Sequence, residues 1–184
     1  SVKDFSGDNK HVKHTEKMIT EKGLQNSAAK ILSTKDIIIS ARGTVGEIAQ
    51  IIEPMAFNQS CYGLRAKQNY YPDFLFYALK YHLRIIKAVA NGAVFDTIVL
   101  DTFDRIKLIV PDLSTQERIA DILSAYDDLI ENNNRRIELL EKAAQDLYKE
   151  WFVRFRFLNH ENTKFVNGLP EGWEVKKLHQ ISDF

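Results

Sequence analysis

Ten positions, Ile119, Leu123, Tyr126, Ile130, Asn133, Ile137, Leu140, Ala144, Leu147 and Trp151, follow one another in steps of four and three residues that alternate without a slip. All but Asn133 are apolar or aromatic. That repeat is the seam of a coiled coil. No Gly or Pro occurs from Leu113 to Asn167, so nothing in this stretch breaks a helix. Ser114 and Glu117 have the S-x-x-E spacing of a capping box. The pattern therefore predicts one helix from about 114 to about 153, roughly 60 Å long at ~1.5 Å per residue. A rod of that length outruns any core this chain can build, so it needs a partner helix. Asn133 either fixes the register against a matching amide or is a tolerated polar spot. Its neighbours Asn132 and Asn134 could equally mark a local break.

The pattern upstream has a shorter period. Ile31–Leu32 and Ile37–Ile39 read as strands around the polar break Ser33–Asp36, and residues 47–52 as another. Between them "SARGTVG" is a hairpin-like turn, and Glu53–Pro54 ends the unit. "NQSCYGLRAK", Asn58 to Lys67, reads as a further strand with a polar face. Pro72 suits the first turn of a helix. There Phe74, Ala78, Tyr81, Ile85 and Val89 share one face, which Leu75, Leu79 and Ile86 widen. Asn91–Gly92 closes that helix. Residues 97–100 and 106–110 are short β-branched runs ended by Pro111. The first 30 residues are polar and irregular, with a turn signal at Gly7 to Lys10.

Beyond Trp151, "FVRFRF" reads as the helix end or a short strand packed on it. Gly168, Pro170 and Gly172 punctuate a linker, and "WEVKKL" reads as the first strand of another domain cut off at Phe184, as expected of a fragment. The fold class is α+β. A mixed α/β domain occupies residues 1–110, a long helix with its end residues 111–158, and a linker with the start of a second domain residues 159–184.

Composition changes this picture little and charge changes it more. The 184 residues suit one domain with an extension. No apolar run is long enough to span a membrane, and no signal segment opens the chain. Cys61 is the single cysteine, which rules out an internal disulfide and fits a reducing cytoplasm. Net charge is zero, yet residues 1–110 hold 15 Lys/Arg against 11 Asp/Glu, and residues 111–150 hold 5 against 10. Only the first segment suits a polyanion.

Arg42 and Thr44 stand at a turn built from Gly43 and Gly46. Glycine amides can approach phosphate closely, and arginine pairs with phosphate or with a guanine edge; the alternative is a solvated turn with an incidental arginine. Asn58 and Gln59 carry amides able to pair with adenine, or equally to satisfy backbone at a strand start. Tyr62 and Arg65 point to opposite faces of a regular strand, so both cannot face one ligand. Lys10, His11, Lys13, His14 and Lys17 form a basic cluster, either a solvated run or a phosphate-attracting one. Tyr70, Tyr71, Phe74, Tyr77 and Tyr81 resemble a stacking surface, but their helical spacing says core. The sequence offers no C-x-x-C, no H-E-x-x-H, no phosphate-cradling loop and no dinucleotide fingerprint. Neither a catalytic residue nor a metal ligand is assigned. Asp127 and Asp128 are expected on the exposed side of the helix.

The stretch "PDLSTQERIADILSAYDDLIENNNRRIELLEKAAQDLYKEWFVRFRF" resembles the helical region of the specificity (S) subunit of type I restriction–modification systems. "SAAKILSTKDIIISARGTVGEIAQ" and "MAFNQSCYGL" resemble a target recognition domain of that family, and "LPEGWEVKKLHQISDF" the opening of a second. The resemblance implies a non-catalytic DNA reader in a bacterial defence system. Each recognition domain reads half of a split double-stranded target. Paired antiparallel helices hold the readers apart and dock methyltransferase (modification) subunits, with a restriction subunit in the full complex. S-adenosylmethionine binds the methyltransferase and no cofactor binds this chain. The DNA-facing candidates are Arg42, Gly43, Thr44, Asn58, Gln59, Tyr62, Lys10, Lys13 and Gly92.

Two departures from the family pattern stand out. The opening strand of the first domain is missing, and "NGAVFDTI" has Ala93 and Val94 where hydroxyl residues often flank Gly92. The tail is the kind of segment the first domain lacks and could dock there. A seam needing a partner implies a homodimer, and hence an inverted-repeat target with a spacer. The alternative is an oligomerising coiled-coil structural protein whose α/β head binds protein.

Overall fold

A computed structural model describes residues 2–5, 9–12, 15–90 and 98–183, with the backbone alone over 84–90. The chain forms two compact units, Ser1–Glu131 and Asn132–Phe184.

In the first unit the isoleucine-rich run decides the architecture. Strands β1 (His11–Val12), β4 (Ile48–Ile51), β3 (Ile37–Ser40) and β6 (Cys61–Leu64) lie in that order in one sheet. β1 runs parallel to β4, and the other pairs are antiparallel. All four residues of β3 and all four of β4 are buried. Alternation of side chains along a strand then splits the core in two. Ile37 and Ile39 join Ile48, Phe76, Leu79, Leu83 and Ile98 on one side. Ile38 joins Phe5, Val12, Leu32, Ala49, Ile51 and Cys61 on the other.

Helix α2 (Pro72–Ala90) supplies the first of these layers, with Pro72 at its start as its fixed φ favours. The second layer is closed by a two-stranded ribbon of β2 (Ile31–Leu32) and β5 (Met55–Ala56). The ribbon comes so close that a Cβ on Gly63 would lie 2.4 Å from a Leu32 methyl. A side chain at Gly63 would have to displace Leu32 from the layer. Helix α1 (Glu21–Gln25) is a single turn capped by Thr20, whose hydroxyl accepts from the Gly23 amide.

Several expectations are corrected. Residues 106–110 form no strand; a short helix α3 (Leu100–Asp104) precedes them, and Ile109 is exposed. Tyr81 and Tyr70 are exposed rather than core: the buried stripe of α2 runs through Phe76, Leu79 and Leu83, away from Tyr81, and Tyr70 precedes the helix. The predicted helix close at Asn91–Gly92 lies outside the described residues, as do the side chains of Ile85, Ile86 and Val89.

Helix α4 spans Leu113–Tyr148, 36 residues or about 54 Å, and continues as a π-helical turn over Lys149–Val153. It starts one residue before the expected capping box. The cap is Asp112, whose carboxylate accepts from the Thr115 amide and from both the Ser114 and Thr115 hydroxyls. Those donors hold its pKa down at about 2. Ser114 is thus a donor to the cap and not the cap itself.

In the second unit the segment after the helix is not the expected strand. Residues 173–177 are irregular, and a tight hairpin of β7 (Phe165–Val166) and β8 (Leu169–Pro170) precedes them. Trp173 stacks on Phe157 at 5.2 Å between ring centres and packs on Phe152 and Phe155. The tail so follows an aromatic cluster at the end of its own helix.

Candidate nucleic-acid interface

The turn between β3 and β4 is built around Ser40. Its hydroxyl donates to the Thr44 carbonyl and accepts from the Glu47 amide at 2.8 Å, while the Gly46 amide donates to the Ser40 carbonyl. Gly43 and Gly46 take φ of +78° and +76°, the left-handed region that L side chains disfavour. The result is a stiff tip on which Arg42, Gly43 and Thr44 are all exposed. A Cβ added at Gly43 would meet no atom within 4 Å, so the backbone there is open to an approaching ligand.

A second turn stands at the same end of the sheet, because Ser40 pairs with Cys61 and the Ala41 amide donates to the Ser60 carbonyl. That turn is held by Asn58, whose side-chain oxygen accepts from the Ser60 amide at 3.1 Å. A third segment joins them: the Glu16 amide donates to Asp4, which carries Lys3 and Lys17 to the same place. Val2, Lys3, Glu16, Lys17, Arg42, Gly43, Thr44, Asn58 and Ser60 line one open depression of about 530 Å³. Three cations face one carboxylate there, and Arg42 forms no ion pair among the described residues.

The fold sorts the candidate residues sharply. Arg42, Gly43, Thr44 and Asn58 come together at the depression. Gln59 is exposed on the adjoining turn. Tyr62 is half-buried, edge-on to Phe103 at 5.4 Å, and belongs to the packing against the α2 layer. Lys13 and Gly92 lie outside the described residues, as do His14, Ala93 and Val94. Lys10 is corrected: it is buried, and its ammonium donates to Asp73 at 2.7 Å and to the Ser124 hydroxyl at 2.8 Å. A polyanion cannot reach it. The basic run therefore splits, with Lys17 going to the depression and Lys10 inward. Lys3, which the charge pattern did not single out, is gained through the Asp4 contact.

Lys10 leads to what the sequence reading missed, the attachment of α4 to the α/β domain. Asp73 also accepts from Lys35 at 3.0 Å. Burial alone would raise the Asp73 pKa, but the bonds from Lys10 and Lys35 outweigh it and hold the carboxyl below its ordinary value. Next along α4, Asp127 accepts from the Tyr77 hydroxyl at 2.7 Å, with Ser124 at 3.3 Å from the same oxygen. Burial and the adjacent carboxylate push the Tyr77 hydroxyl pKa up. Asp127 is thus not on a solvent face as expected, while Asp128 is exposed. At the start of the helix Gln116 is fully buried, accepting from the Tyr71 amide and donating to the Pro111 carbonyl. His11 lies 3.7 Å from Glu131. One stripe of α4, Gln116, Ala120, Ser124, Asp127 and Glu131, therefore faces the α/β domain.

The heptad stripe is a different face, rotated by about a residue step of ~100°. In the single chain its positions are all exposed, the large apolar ones from 37% at Ile119, Leu123 and Trp151 to 67% at Leu140. An apolar stripe left uncovered along an unbroken helix is the surface a second helix would bury.

Among the described residues no group of His, Cys, Asp or Glu is placed to hold a metal, and no helix is long and apolar enough to cross a membrane. The described residues thus form an α/β domain with a stiff, cation-rimmed turn, continued by a long helix that carries an uncovered apolar stripe. The family model for the type I restriction modification DNA specificity domain matches residues 3–142, and the chain belongs to that family.

Similar proteins include the type I restriction enzyme MjaIX specificity subunit of Methanocaldococcus jannaschii, 31% identical over 177 residues, covering 93% of this chain and 41% of that protein. The HindI specificity subunit of Haemophilus influenzae is 37% identical over 117 residues, covering 60% of this chain and 25% of that protein. The chain thus spans about two fifths or less of the length of these relatives. The crystal structure of the type I restriction–modification S subunit from M. genitalium overlaps 80% of this chain and 39% of its own, at 18% identity and a TM-score of 0.49.

Proposed function

We propose that this chain reads one half of a bipartite double-stranded DNA target, without catalysis of its own, as a specificity module of a type I restriction–modification complex. The observation that carries the reading is the depression where Arg42, Gly43, Thr44 and Asn58 meet Lys3 and Lys17. Lysines and open glycine backbone there suit phosphates, which position a protein on DNA. Arg42 and the Asn58 and Gln59 amides suit base edges.

The recognition domain is residues 1–110, and the helix with its end, 111–158, is the spacer. Residues 159–184 are a linker followed by a stretch that opens a second recognition domain. Two copies pair through the exposed heptad stripe as an antiparallel homodimer, so two readers address an inverted repeat across a spacer. Methyltransferase subunits dock on the helical region and hold S-adenosylmethionine; a restriction subunit completes the complex in the cytoplasm.

Selection from a random duplex pool, by the chain together with its methyltransferase subunit, tests the reading. Enrichment of a split inverted repeat is the expected result. A bound pool indistinguishable from the input refutes it, and is what a protein-binding head on a structural rod would give.

A further inference from the structure

The contact between α4 and the recognition domain has an unusual make-up. Helices usually dock through large apolar side chains. Here the only fully buried residues of α4 are Gln116 and Ala120, and the large apolar residues Ile119, Ile122, Leu123 and Leu129 are all exposed. What crosses the junction instead is directional. Lys10 bonds Asp73 of α2 and Ser124 of α4 at once, and Tyr77 of α2 bonds Ser124 and Asp127 of α4. Lys10 and Asp73 are 3% and 6% exposed. The ammonium also lies 5.0 Å from the Tyr77 ring centre.

Apolar contact is non-directional and tolerates sliding; hydrogen bonds with fixed lengths and angles do not. Burying ions is a poor way to gain stability, and their best-attested use is to fix one geometry among several. Small errors of angle are large at the far end. Over about 40 Å of straight helix a tilt of about 5° at one end moves the other by about 3.5 Å, roughly one base-pair step.

We propose that the Lys10–Asp73–Ser124–Tyr77–Asp127 network is a joint that sets the angle of the recognition domain on α4, and thereby the number of base pairs between the two half-sites. The spacer clause rests on the DNA-reading function above; the angular clause does not. These five are positioning residues, since none lines the depression where DNA is read.

The test uses the full chain with Tyr77→Phe and Ser124→Ala combined. These changes remove the hydroxyls that cross the junction and leave the Lys10–Asp73 pair. Arg65→Gln is the matched control, because it breaks an ion pair to Asp36 inside the recognition domain and touches no residue of α4. In DNA selection the double variant is expected to enrich the same half-sites. Its preference for one spacer over spacers one base pair longer or shorter should drop from about tenfold to under about threefold. Arg65→Gln should keep the wild-type preference.

A second readout is free of DNA. Spin labels at the exposed positions Gln25 and Glu117, diluted with unlabelled chain, should give a broader distance distribution in the double variant than in wild type or Arg65→Gln. An equally sharp spacer preference in the double variant overturns the spacer clause, and an unchanged distance distribution overturns the joint. If the wild type enriches no split site, the DNA-reading function fails, and the distances alone decide the joint.

Discussion

Asp73→Ala isolates the buried charge at the heart of the first unit. In the native chain the Asp73 carboxylate accepts from Lys10 at 2.7 Å and from Lys35 at 3.0 Å. The Lys35 side chain is half exposed and returns to water when its partner goes, at little cost. Lys10 cannot do so. Its side chain is 3% exposed, and the Ser124 hydroxyl would be its one remaining hydrogen-bond partner among the described residues. An uncompensated buried charge costs about 3–5 kcal/mol. In a unit of this size that corresponds to a fall in Tm of about 10 °C or more.

Replacing both partners, as Lys10→Met with Asp73→Leu, removes the charges together and is expected to cost less than about 1.5 kcal/mol. Urea unfolding of wild type, the two single variants and the double variant closes the cycle. The sign with pH follows from the lowered Asp73 pKa. Its stabilisation is fully present above the ordinary value of 3.8 and fades as pH falls through the lower folded value. The gap between wild type and Asp73→Ala should therefore be constant from about pH 5 to 8 and narrow below about pH 4. A single variant losing under about 1 kcal/mol, or a double variant as unstable as the single, would refute the buried-charge argument.

Two other outcomes are expected. Arg42→Ala should weaken DNA binding and reduce the salt slope by about 1 if Arg42 pairs with phosphate, or relax specificity at one base position if it reads guanine; unaltered affinity and sequence preference would remove it from the interface. Ile137→Asp places a charge in the middle of the heptad stripe, where the native side chain is 53% exposed in the single chain. It should turn a dimer into a monomer in sedimentation while leaving the melting of the first unit unchanged, and a variant that still dimerises would show that the stripe is not the seam.

Local pattern carried a large part of this protein. The run Ile37–Ile39, the turn glycines and Pro72 each act within a few residues. β3, β4, the hairpin tip and the start of α2 follow from them, the strand ends within a residue of the expected bounds. Helix α4 follows from a repeat that no other secondary structure satisfies. Where the signal was short-range but ambiguous, the reading erred. The runs at 106–110 and 173–177 have strand-like composition, yet among the described residues no neighbouring strand pairs with them.

Tertiary structure decided the fate of polar side chains, because apolar periodicity reports which face is greasy and says nothing of which charge meets its counter-charge. Lys10 looked like its neighbour Lys17. One is buried because Asp73, 63 residues on, and Ser124, 114 residues on, converge upon it; the other borders the candidate DNA site. The stripe Gln116–Ala120–Ser124–Asp127–Glu131 has no hydrophobic signature, so only the fold could show that α4 turns this face to its own recognition domain and leaves the heptad stripe uncovered. Pattern alone thus fixed the turn, strands β3, β4 and β6, and the rod, but not β1, which lies in the stretch read as irregular. The assembly of three separate segments around one depression, and the buried network that holds the rod, depend on contacts whose partners lie far apart along the chain.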